Sequence, residues 1–224
     1  MKTTRVFLFA SLAIIILYWV WRLSRIDTVI PSEFDALILQ IVKTKAIMFT
    51  VIFVLLRLQQ QGFDSLGLTA GEWKRQVVRG LLLGLGMFVL INVGLNSIFA
   101  SVFPRDPDAG PGVMHFFKDP GNLIIWLLVG MIGGGLVEEA ERIFVITRFE
   151  QWMGRGGVVI GVILSSVFFG IGHLYQGTGA AISTGISGLC FSLIYLHSRR
   201  GWEPVIAHAF SDVLAILAAT WLMR

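Results

Sequence analysis

Seven mainly apolar stretches follow one another along the chain, at about 6–21, 37–56, 78–100, 121–142, 157–173, 179–197 and 203–222. Each comes close to the ~20 residues that an α-helix needs to cross a hydrocarbon core of about 30 Å. Inside that core there is no water to bond a free backbone group, so a chain of this pattern must satisfy its N–H and C=O groups within helices or a closed barrel. Runs this long and unbroken select helices. The expectation is therefore an all-α fold, a polytopic membrane helix bundle of about seven transmembrane helices. Composition agrees: 55% of residues are hydrophobic and 14% charged, against about 45–50% and about 25% in an ordinary soluble domain. No long polar stretch or internal repeat intervenes, so residues 1–224 read as a single membrane domain.

Between the second and third stretches, FDSLGLTAGEWKRQVVRG sets Trp73 beside Lys74, Arg75 and Arg79, which predicts an interfacial amphipathic helix. Lys2 and Arg5 precede the first stretch as in a signal peptide, but that run continues into YWVWRL without a small-residue cleavage site, and an uncleaved span is expected. The net charge of +4 and pI of 9.6 do not point to nucleic acid, because the basic residues stand singly or in pairs on short loops. They act as topology signals instead. With a cytoplasmic N-terminus the inner side collects Lys2, Arg5, Arg57, Lys74, Arg75, Arg79, Arg148, Arg155, Arg199 and Arg200, and the outer side keeps Arg22, Arg25, Arg105, Lys118 and Arg224. Ten against five favours that orientation. It sets EEAER near the cytoplasmic end of the fourth span. The one cysteine, Cys190, lies in an apolar run and reads as an inert thiol.

An ionisable group within a bilayer costs at least ~2.5–3.5 kcal/mol, so such groups call for a function. Lys43 and Lys45 in the second span are expected to face protein, water or headgroups. Three further clusters stand out. In EEAER, Glu138, Glu141 and Arg142 share one helical face by spacing, with Glu139 about 100° round; the preceding Gly-Gly-Gly suits close approach of a neighbouring helix. In SSVFFGIGHLYQG, Phe169 and His173 stand four apart beside the small residues Ser165, Gly170 and Gly172. In WEPVIAHAFSD, His208 and Asp212 occupy one face, inside a span. Carboxylates, an arginine and two histidines from three spans are an inventory for activating water: a carboxylate or imidazole removes a proton, and donors stabilise the oxyanion.

These motifs, EEAER at 138–142, FGIGH at 169–173 and HAFSD at 208–212, run in the order of a known family. The chain resembles the CPBP family of type II CAAX prenyl endopeptidases and their bacterial abortive-infection and bacteriocin-immunity relatives, over a catalytic core at about 120–222. The resemblance implies an intramembrane endopeptidase. Glu138 would be the base and Glu139 its partner, His173 would help activate water, Arg142 would organise the site, and His208 and Asp212 would position or stabilise the oxyanion. One feature departs from the usual pattern: two residues rather than three separate the glutamate pair from Arg142. Alignment on the arginine would shift the glutamates by one position, which leaves the choice of base between Glu138 and Glu139 open. Glu138, His173 and His208 are also chemically fit for Zn²⁺, and the family has been described both as metal-dependent and as glutamate-dependent.

The expected partners are the bilayer and a membrane protein or lipidated, CAAX-type peptide substrate, with a bacterial inner membrane as the location. Two other functions fit the intramembrane charges. One is a proton-coupled transporter, and the other a proteolytically inactive scaffold of the same fold.

Overall fold

The computed structural model describes residues 2–24, 31, 33–103, 114–117 and 119–222. Arg25, Arg105, Lys118 and Arg224 of the outer charge count lie outside them. Seven long helices make up the described fold: α1 (Lys2–Leu23), α2 (Phe34–Leu58), α3 (Trp73–Val102), α4 (Pro120–Met153), α5 (Arg155–Ile171), α6 (Thr178–Ser198) and α7 (Trp202–Leu222). Six are long and apolar enough to span a membrane, and α5 is a shorter apolar helix. Large apolar side chains such as Phe9, Leu17, Leu82, Val93, Ile124 and Leu193 are exposed on the outside of the bundle, as they should be where lipid is the solvent. The chain is an integral membrane protein of all-α, polytopic fold.

Two boundaries differ from the sequence expectation. The fourth apolar stretch does not end at residue 142 but continues as helix to Met153, so Glu138 lies near the middle of α4 rather than at its end. The polar residues of EEAERIFVITRFE are tolerated there because the protein surrounds them: Ile143, Phe144 and Ile146 are fully buried, as is Arg148. The expected interfacial helix divides into a 3₁₀ turn, Phe63–Leu66, and the first turns of α3, which begins at Trp73. Leu66 anchors the turn in the core. Gly67 then turns left-handed (φ 75°), and its carbonyl accepts from Gly201 N–H at 2.9 Å, which pins the start of α7.

The neighbours α3/α7, α4/α7, α4/α5 and α5/α6 pack most extensively, and α7 lies mainly along the first half of α4. That last contact is closest at the glycines. A Cβ on Gly134 would fall 2.4 Å from Asp212 Oδ2, and one on Gly135 2.6 Å from the Ala209 methyl. Without a water-driven hydrophobic effect between helices, such backbone approach and van der Waals packing hold a bundle in lipid. Both α3 and α4 carry π-helical segments, Val89–Leu95 and Val129–Glu138. The second ends on Glu138, and π turns inside helices often mark functional sites.

Candidate active site

Three side chains of α4 leave in different directions from the end of the π segment. Glu138 faces α2, where the Lys45 ammonium donates to its Oε1. Glu139 is fully buried and takes a charge-assisted hydrogen bond from Arg142. Glu141 points toward α1 and accepts from the Trp19 indole N–H. Spacing alone had grouped Glu138 with Glu141 and Arg142. The structure instead pairs Arg142 with Glu139 at i,i+3, because α2 delivers a closer cation to Glu138.

His208 of α7 sits between the two glutamates. Its Nδ1 is 2.7 Å from Glu139 Oε1, while Nε2 is 3.8 Å from Glu138 Oε2 and 3.7 Å from Asp212 Oδ2. A carboxylate partner makes Nδ1 the protonated nitrogen of a neutral imidazole and leaves the Nε2 lone pair toward Glu138 and Asp212. The ring orientation is fixed from both sides. Phe191 stacks on it with centroids 4.5 Å apart, and Phe169 meets it edge-on at 5.8 Å. The Arg142 guanidinium lies 4.5 Å from the Phe169 centroid, so the first motif's arginine and the second motif's phenylalanine form one wall.

His173 follows α5. Its Nδ1 meets the Phe169 carbonyl at 2.7 Å, again making Nδ1 the donor and Nε2 the free acceptor. Tyr175 stacks against its ring at 5.8 Å. Glu138, His173, His208 and Asp212 line one cavity of about 790 Å³, together with Lys45 and Phe169. Glu139 and Arg142 stand behind that wall and buttress it. The structure therefore brings all six sequence-derived residues into one region, with Glu138, not Glu139, on the cavity surface.

Sequence reasoning missed Lys45, Trp19 and Phe191. For Lys45 a signal existed, since a lysine amid IVKTKAIMF must find a partner, but the pattern could not say which acid it meets. Phe191 and Trp19 are ordinary residues in apolar runs and carried no signal.

Glu138 Oε1 faces an ammonium and His208 Nδ1 is engaged by Glu139, which leaves Glu138 Oε2 and His208 Nε2 unengaged; among the described residues no group of three His, Cys, Asp or Glu side chains is close enough to hold a metal ion.

Residues 120–214 match the family described as Type II CAAX prenyl endopeptidase Rce1-like. The match begins at the start of α4 and takes in all three motifs. No curated protein and no solved structure matches the chain.

Proposed function

We propose that this chain, whose residues 120–214 match the family described as Type II CAAX prenyl endopeptidase Rce1-like, is a membrane protease that hydrolyses a peptide bond of a membrane-associated substrate with a water activated by Glu138. The observation that supports this most is the gap between Glu138 Oε2 and His208 Nε2. At 3.8 Å it is too long for a direct hydrogen bond, yet a water about 2.8 Å from each atom fits beside it. Such a water has its protons directed at two bases and its oxygen lone pair free to attack.

In this reading Glu138 takes the proton as the water oxygen adds to the scissile carbonyl. The same proton then passes to the leaving amine, so one water and one peptide give one carboxylic acid and one amine. Glu139 holds His208 in the tautomer that leaves Nε2 open, and Arg142 holds Glu139. Lys45 keeps Glu138 oriented and has further N–H groups for the oxyanion that develops nearby. Asp212 Oδ2 lies 3.7 Å from His208 Nε2, and only a protonated carboxyl has a proton to donate to that lone pair. His173 lines the same cavity with its Nε2 free, a second base for protons released there.

The test uses purified protein in nanodiscs with a lipidated, internally quenched peptide. Glu138→Gln should lower kcat on the order of 10²–10⁴-fold, the usual contribution of a general base. Unchanged turnover in that variant would remove Glu138 from the mechanism. Proton-coupled uptake in liposomes without cleavage would replace the peptidase reading with transport.

A further inference from the structure

On the peptidase reading, on which this rests, we propose that the second half of α3 is a docking wall for the main chain of the substrate. Asn92 and Asn96 of α3, with Thr184 of α6 and Ser211 of α7, hydrogen-bond the peptide segment held beside Glu138.

Asn92 stands in the π-helical segment Val89–Leu95, and Asn96 follows four residues later on the same face. Two carboxamides in a run as apolar as VLINVGLNSIFA are costly in a bilayer and need partners. Asn96 is partly provided for: Ser183 Oγ donates to its Oδ1 at 2.5 Å, which joins α3 to α6. Its two N–H groups are not engaged by the described residues. The Asn92 carboxamide has no hydrogen-bond partner among them, and neither do the Thr184 and Ser211 hydroxyls. All four residues line the cavity that holds Glu138, His173 and His208.

The wall adjoins the chemistry. This half of α3 packs along α6, and Ile91, next in sequence to Asn92, clusters with Phe191 of α6 and Ala207 of α7. Phe191 is the ring stacked on His208. Ser211 follows His208 by three residues on α7, within one helical turn.

A peptide carries a donor and an acceptor on nearly every residue, and each one left unpaired away from water is expensive. A chamber that admits a peptide into a helix bundle therefore has to replace the lost hydration. A carboxamide offers two donors and an acceptor, and a hydroxyl offers one or the other. Held by its main chain, a peptide would present its scissile carbonyl to the water between Glu138 and His208 whatever its side chains. Polar groups that serve only to bind helices together are paired inside the bundle, and of these four only Asn96 is.

The test measures binding in a protein that cannot turn over. Glu138→Gln protein in nanodiscs is titrated with the lipidated peptide of the cleavage assay, carrying a fluorophore, and with copies in which one amide at a time is replaced by an ester. Each ester removes an N–H and weakens a carbonyl acceptor. Addition of Asn92→Leu should raise Kd about 3- to 10-fold, the weight of one hydrogen bond, without lowering Tm. At least one ester that weakens binding to Glu138→Gln alone should cost nothing further once Asn92→Leu is present, a coupling that a purely structural residue would not show. Thr184→Val gives a second reading should Asn92→Leu fail to accumulate. Kd unchanged by either substitution, while wild type cleaves the peptide, would overturn the wall and leave the peptidase reading standing. No binding by Glu138→Gln together with no cleavage by wild type would overturn both.

Discussion

Lys45 shows how a single side chain can carry more of a site than its sequence context suggests. An unpaired lysine in a span is costly, and this one lies against Glu138 at the wall of the cavity. Removal of its charge while its length is kept, as Lys45→Met, should leave the bundle folded and lower kcat by about 10²-fold, since misplacement of a catalytic group by ~1 Å has that effect. Lys45→Arg should restore most of the activity. Equal losses in both variants, measured as kcat and KM on one peptide, would mean that shape rather than charge matters there. At the same scale the motif spacing finds its physical sense. With two intervening residues Arg142 reaches Glu139 at i,i+3, and with three it would do so at i,i+4; both place the two side chains on one helix face. The shortened motif thus preserves the pair that buttresses His208, and exposure on the cavity wall distinguishes Glu138 from its fully buried neighbour.

Within the elements, the first half of α4 decides whether the site can form, because α7 must lie close enough for His208 to pass between two glutamates. Gly135→Ala puts a methyl 2.6 Å from Ala209 Cβ. Overpacking of this kind typically costs about 1–3 kcal/mol, so Tm in detergent should fall and turnover should fall with it. Gly86→Ala in α3, where no atom lies within 4 Å of the new methyl, should leave both as they are. An unchanged Tm for Gly135→Ala would show that α7 is free to move outward. Existence and order of the helices were legible in the sequence because length and apolarity suffice to define spans. The extent of α4 was not, since hydropathy sees Glu139, Arg142 and Arg148 as a boundary, whereas the structure buries all three among neighbouring helices. The π segment had only the glycine run as a hint.

Across the whole molecule, the charged end is clasped by contacts between distant parts of the chain. Glu72 accepts hydrogen bonds from Arg200 at 2.5 Å and Arg75 at 3.0 Å, and these, Arg200 foremost, hold its carboxyl below the ordinary value of 4.5. A depressed folded-state value means that its contribution to stability is present above pH 4.5 and is lost as pH falls through the folded-state value. The Tm difference between wild type and Glu72→Gln should therefore be small and constant near neutrality and vanish in acid. A difference that grew in acid would reverse the sign and refute the clasp. The motifs made the α4, α5 and α7 residues of the site legible, but not what residues 1–119 add to it. Lys45 on α2 and Trp19 on α1 both meet the acids of α4 from outside the matched segment. A chimera that exchanged only the first two helices with those of another protein matching the same family would keep the matched core and inherit a different chamber wall. The helices outside the shared core are thus where lineages of this fold could diversify the peptides they cut while leaving the chemistry alone.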